Sequence, residues 1–108
     1  MKKSIRVFIK EPGQDPCQSI VRNELEPLQK NVGGYIETLQ IASDVVIICD
    51  EEGLLKNKPF NCEICGQWLF GTILIAGVNG EEFSDVPMSF QELKSLFPGL
   101  FEQKGVVV

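Results

Sequence analysis

Two long apolar runs constrain this chain most. One is Val45-Val46-Ile47-Ile48-Cys49, closing on Asp50; the other spans Phe70 to Val78 and is built around Ile73-Leu74-Ile75-Ala76. A strand points successive side chains to opposite faces, so a run that is apolar at nearly every position suits a strand buried on both. Such strands belong at the centre of a sheet. The expected fold is therefore α+β: a single small domain with a mixed, mostly antiparallel sheet of four to five strands. One kinked N-terminal helix and one C-terminal helix would pack on it.

The flanking segments supply the other elements. Ile5, Val7 and Ile9 alternate with Ser4, Arg6 and Lys10, the period-two pattern of a strand with one buried face, broken only by Phe8. Asp15-Pro16-Cys17-Gln18 reads as a helix start, and Val21, Leu25, Leu28 and Val32 follow at spacings of four, three and four. Pro27 falls inside that helix, where a missing amide and a crowded turn cost about 3 kcal/mol. A kink near Asn23 to Glu26, or a break into two helical pieces, is the expected accommodation. Gly33-Gly34 ends the helix, since glycine takes the left-handed cap conformation freely. Tyr35 to Ile41 pairs with Val45 to Asp50 around Ala42-Ser43-Asp44. Residues 54–68 show no period and read as a long loop, a feature that is uncommon in compact domains and often functional. Asn79-Gly80 marks a hairpin leading to Glu81-Glu82-Phe83. Ser89-Phe90-Gln91-Glu92 is a capping box for a helix whose apolar face is Phe90, Leu93, Leu96 and Phe97. The tail, Gly105-Val106-Val107-Val108, is a frayed end or an added edge strand.

At 108 residues, with 44% hydrophobic and 23% charged side chains, the chain fits one globular domain, residues 1–108. Its net charge of −5 repels a phosphate backbone unless the bases gather on one face, which argues against double-stranded DNA as a partner. Lys2, Lys3, Arg6 and Lys10 form the one basic cluster and read as a solvated face with edge protection. Arg6 and Lys10 also interrupt what would be the apolar core of a signal peptide, and no run approaches the roughly 18 apolar residues of a membrane span. The expected location is the cytoplasm, with no membrane association. There the thiols of Cys17, Cys49, Cys62 and Cys65 stay reduced.

Chemistry is thinly represented. Cys62-Glu63-Ile64-Cys65 has the spacing of a zinc knuckle or a redox pair, but a zinc site would need Cys17 and Cys49 to converge on it, because the chain has no histidine. Incidental thiols are the simpler reading, with Cys49 a small core residue. No cofactor is expected. The lack of histidine also removes the usual base of a Ser or Cys nucleophile. Glu37, Asp50, Glu51 and Glu52 would lie near one another if the middle strands pair, and such carboxylates can hold a divalent ion. A solvated acidic turn is the plainer reading. Gly33-Gly34 precedes a strand rather than a helix, the reverse of a phosphate loop. Tyr35 and Trp68 each combine an apolar body with a polar tip, suiting a pocket wall, a contact surface or a core edge. Leu69 and Phe70 beside Trp68 favour the core edge there.

Four short blocks recur in a recognisable order: Gly33-Gly34-Tyr35-Ile36-Glu37, Asp50-Glu51-Glu52-Gly53, Pro59-Phe60-Asn61, and Gly71-Thr72-Ile73-Leu74-Ile75-Ala76-Gly77. In these the chain resembles domain-of-unknown-function family number three thousand eight hundred and forty-six, small bacterial, phage and plasmid proteins. The likeness runs from about Ile5 to Phe83; Pro27 and the Cys62/Cys65 pair depart from it. It implies a small stand-alone protein of a mobile genetic element and carries over no catalytic residue or cofactor. The leading expectation is a non-enzymatic module that presents Asp50, Glu51 and Glu52 to a host or element-encoded protein. A small-ligand or nucleotide sequestering module, with Tyr35, Asn61 and Trp68 around a cleft, is the alternative. A metal-dependent enzyme using Glu37 and the acidic turn comes last.

Overall fold

The computed structural model describes residues 3–101. Its strands are β1 (Ser4–Lys10), β2 (Cys17–Arg22), β3 (Ile36–Ala42), β4 (Val45–Asp50), β5 (Phe60–Ile64), β6 (Gln67–Phe70), β7 (Ile73–Asn79) and β8 (Glu82–Ser84). The helices are α1 (Leu25–Val32) and α2 (Phe90–Leu96), followed by a 3-10 turn at Pro98–Leu100. The main sheet is six-stranded, ordered β2-β1-β7-β4-β3, with β8 also paired to β7; β5 and β6 form a separate hairpin. Every strand pairing is antiparallel. The α+β expectation holds, with one strand more in the main sheet than foreseen.

The two apolar runs are the paired central strands. Val46 sits opposite Ala76 and Ile48 opposite Leu74 on one face, and Ile47 opposite Ile75 on the other. The first face packs with Ile5, Val7 and Val21 beneath Leu28 and Val32 of α1. The second packs Val45, Ile47, Cys49, Phe8, Ile73 and Ile75 against Cys62, Ile64 and Leu69 of the β5–β6 hairpin, with Leu93 and Leu100 from α2 and the 3-10 turn. The sheet is thus covered by a helix on one side and by a hairpin and a helix on the other. Each fully buried aliphatic side chain in this arrangement is worth about 1.5–3 kcal/mol relative to exposure.

The long N-terminal helix does not form. Residues 17–22 are strand β2, in register with β1 from Ile9↔Cys17 to Ser4↔Arg22, and the turn before it uses Gly13 at φ 80°. The helical spacing that linked Val21 to Leu25 is coincidental, since Leu25 is 59% exposed. Val21, Leu28 and Val32 do share one core, but reach it from a strand and a short helix. Pro27 causes no kink: with Glu24 as N-cap it occupies the first turn of α1, where amides have no intrahelical acceptor to lose.

The long loop is also corrected. Residues 60–70 are the β5–β6 hairpin, turning on Cys65 and Gly66 at φ 51° and 79°, the paired positive angles of a two-residue hairpin turn. Asn61 is the extra residue of a bulge between Phe60 and Cys62, and the bulge turns its side chain inward. Its amide nitrogen donates to Lys10 O at 2.9 Å and Gly71 O at 2.7 Å, tying the hairpin to β1 and to the start of β7.

Of the basic cluster, Lys3 is exposed, but Arg6 and Lys10 are not part of a solvated face. β1 lies inside the sheet, and Lys10 is 2% exposed, donating to Gln14 O at 2.9 Å; burial pushes its ammonium pKa down against the pull of Cys62 and Asp15. Arg6 donates to the carbonyls of Val86 and Met88 at 2.6 and 3.0 Å, holding the segment before α2 against the sheet. That helix begins with the foreseen capping box: Ser89 Oγ accepts from Glu92 N at 3.1 Å, and Glu92 Oε1 accepts from Ser89 N at 2.9 Å. Its Leu93 is buried, but Leu96 is largely exposed. Lys2 and the tail 105–108 lie outside the described residues.

Asn61→Ala removes two buried hydrogen bonds and leaves two carbonyls short of a donor. It is predicted to cost about 2 kcal/mol in urea unfolding followed by circular dichroism, while the exposed Asn57→Ser at a positive φ costs under about 1 kcal/mol.

Candidate functional site

The residues from β4 to β5 form a tight turn organised by one carboxylate. Asp50 ends β4 with its side chain 1% exposed and its Oδ2 at 2.7 Å from Lys58 Nζ and 3.0 Å from Lys56 Nζ. Its Oδ1 accepts from the Glu52 amide at 2.9 Å. Both lysines reach further, to the C-terminal end of α1. Lys58 Nζ donates to Val32 O at 2.8 Å, and Lys56 Nζ to Gly33 O at 3.2 Å. These carbonyls have no acceptor role left within the helix and carry its negative pole, so two ammonium groups are well placed there.

The Gly33-Gly34 pair now has two separate reasons. Gly33 caps α1 at φ 81°. Gly34 is there for space: a Cβ on it would lie 2.5 Å from Asp50 Oδ1 and from Lys56 Nζ. The pair acts as helix cap and contact point, not as an anion nest.

Burial alone would push the Asp50 carboxyl pKa up, but the bonds from Lys58, the Glu52 amide and Lys56 outweigh it and hold the group down at about 2. The acidic turn is therefore not a uniform solvated surface: Asp50 is an internal clamp, while Glu51 and Glu52 are exposed. Cys49, one residue earlier, goes the other way. Burial, helped by Glu37, Asp50 and Cys62, raises its thiol pKa to about 11.

Beside this turn a cleft of about 520 Å3 opens between the main sheet and the hairpin. Glu37, Thr38 and Leu39 of β3 and Cys49, Asp50 and Glu51 form one side. Gln67, Trp68, Leu69 and Phe70 of β6 form the other, and Gly53 with Leu54 closes the end. Trp68 is 65% exposed and meets Phe60 edge-on at 5.9 Å, and Phe60 meets Phe70 in the same way at 5.7 Å. Trp68 is thus a cleft wall, not a core edge; Leu69, alternating with it, is the residue that enters the core.

Of the residues singled out in the sequence, Glu37, Asp50, Glu51 and Trp68 line this cleft together. Tyr35 is 70% exposed and Glu52 is exposed, both outside the lining, and Asn61 is buried in its structural role. The sequestering arrangement of Tyr35, Asn61 and Trp68 around one cleft is not what forms. Cys49 and Cys62 share a buried cluster, whereas Cys17 begins the edge strand β2 and Cys65 sits in the hairpin turn. Among the described residues no three His, Cys, Asp or Glu side chains gather as a metal site. The Cys62 thiol pKa is raised by burial, against the pull of Lys10.

Sequence reasoning missed Lys56 and Lys58 as partners of Asp50, and Leu54 and Phe70 as cleft residues. The alternation of Lys56-Asn57-Lys58 shortly after three acids was a signal for the first. The exposed pair Leu54-Leu55 was one for the second, because consecutive large apolar residues are unusual in a polar turn.

The family profile of a domain of unknown function, DUF3846, matches residues 5–97. The chain belongs to the DUF3846 family. No curated protein and no solved structure matches it.

A depressed carboxyl contributes stability above its unfolded pKa of roughly 4 and loses it as the pH falls toward the folded value. Asp50 is thus predicted to contribute about 2 kcal/mol at pH 7, lost progressively between about pH 4 and pH 2. Asp50→Asn should lower stability by about that amount at pH 7 and flatten this part of the pH profile, as measured by urea unfolding at stepped pH.

Proposed function

We propose that this DUF3846 chain is a non-enzymatic binding module that recognises a protein partner through the cleft between β3 and the β5–β6 hairpin. The observation that carries the reading is the exposed aromatic wall. Trp68 is the chain's one tryptophan, and it stands 65% exposed over a cleft that also holds Leu54 and Phe70. Exposed aromatic and aliphatic side chains clustered around a concavity are the usual anchors of a protein interface.

The chemistry around the cleft favours binding over turnover. Asp50, the best-placed carboxylate, is already neutralised by two lysines. Burial pushes the Cys49 thiol up to about 11, so it keeps its proton at neutral pH and is a poor nucleophile. Glu37 and Glu51 remain as surface charges able to select a partner by sign. The family resemblance supports a further reading, that the chain is an accessory protein of a phage, plasmid or integrated element acting in the cytoplasm on a host or element-encoded protein. No helix among the described residues is long and apolar enough to cross a membrane.

A small ligand is the second reading, favoured by the cleft volume. About 520 Å3 falls within the roughly 300–1,000 Å3 of small-molecule sites.

Affinity capture from bacterial lysate tests the first. Trp68→Ala and Leu54→Ala are predicted each to reduce recovery of the partner at least about fivefold while leaving the unfolding midpoint nearly unchanged, since both side chains are largely exposed. Leu96→Ala, also exposed but on α2, should capture as the wild type does. Capture that is indifferent to Trp68 and Leu54 removes the cleft from the account.

A further inference from the structure

Among the described residues, the cleft is bounded by two strand edges that have no outer partner. β3 is the last strand of the main sheet, and β6 has a partner only in β5 among the described residues. The Glu51 amide donates to Tyr35 O at 2.9 Å, so the backbone groups of Tyr35, Glu37 and Leu39 face β4. By alternation those of Ile36, Thr38 and Gln40 face outward. Glu37, Thr38 and Leu39 all line the cleft although their side chains alternate between faces, so it is the edge of β3, and not one face alone, that opens onto it. Open edges of this kind are templates for an added strand.

The walls also have a sign. Glu37 and Glu51 are exposed, and among the described residues neither is in an ion pair, while Lys56 and Lys58, in the turn that follows Glu51, are turned to Asp50 and the end of α1. Glu63 sits opposite Trp68 in the hairpin. An exposed indole flanked by free carboxylates suits a cation, attracted by the ring face and by the acids together.

Building on the binding-module reading, we infer that the partner supplies an extended basic segment: it pairs with the outward edge of β3 around Thr38 and lays one arginine or lysine over Trp68 between Glu37 and Glu51. Backbone pairing gives affinity, and the basic side chain gives selectivity. The net charge of −5 favours the encounter with a cationic partner and disfavours an acidic one.

The test is selection of a random dodecapeptide display library on the purified full-length protein, followed by titration of synthetic peptides read through Trp68 fluorescence. The inference expects one fixed position enriched in arginine or lysine, and binding weakened about tenfold in the Glu37→Gln/Glu51→Gln double variant and by raised salt. N-methylation of the peptide backbone beside the basic residue should weaken binding by a similar factor of about ten. Calorimetry on Trp68→Leu, which needs no indole signal, should show the same loss of about tenfold. The inference is overturned by selected peptides with no fixed basic position, by peptides bound equally well by the double variant, or by failure to select any. Arginine amide binding as tightly as the peptide also overturns it and favours a small organic cation. A Trp68-dependent capture from lysate alongside any of these leaves the binding-module reading standing and this inference fallen.

Discussion

The structure depends on the way Asp50 is neutralised. A carboxylate taken out of water is costly unless it is paired and hydrogen-bonded, and Asp50 is supplied with two ammonium groups and a backbone amide. Because both lysines also bond the last carbonyls of α1, one buried charge joins the end of β4, the turn through Lys58 and the helix that covers one face of the sheet. A carboxylate-to-amide exchange at Asp50 would therefore be felt in three elements at once. The exposure of Lys56 and Lys58, at 39% and 22%, means that water screens part of the attraction, so the clamp contributes kilocalories and not tens of them.

That clamp also builds the cleft. With the turn fixed by Asp50, Gly53 and Leu54 are set at one end of the concavity, where Gly53 lies against Phe70: a Cβ there would be 2.8 Å from Phe70 O. The opposite anchor is Asn61, whose two donated bonds hold the hairpin to β1 and Gly71. Leu69 and Ile64 then enter the core and leave Trp68 and Phe60 outside it. The cleft is thus a gap between two separately anchored bodies, the sheet edge and the hairpin, and its aromatic wall is exposed because alternation along β6 gives the core only every second side chain.

Much of the framework was legible because its signals are local. The apolar runs at 45–50 and 70–78, the Asn79-Gly80 turn, the Ser89 capping box and the Gly33 cap each state their conformation within a few residues. What failed was non-local. Residues 17–22 are a strand because β1 is available to pair with them, a fact that their helical-looking spacing to Leu28 and Val32 concealed. The β5–β6 hairpin was hidden by the bulge at Asn61, which breaks the period of two, and by a turn that uses Cys65 where asparagine or aspartate is usual. At the site, four of the seven residues marked in the sequence meet in the cleft, because strand pairing and the turn bring Glu37, Asp50 and Glu51 together and Trp68 faces them. The function of Asp50 was misjudged for a definite reason: nothing in Asp50-Glu51-Glu52 says which acid turns inward until the positions of Lys56 and Lys58 are known.

The central claim is that Asp50 and Lys58 are one energetic unit. A double-mutant cycle of Asp50→Asn and Lys58→Met, read by urea unfolding at neutral pH, measures it directly. The clamp predicts a coupling energy of about 1–3 kcal/mol; a value within about 0.3 kcal/mol of zero, with the two substitutions simply additive, would contradict it.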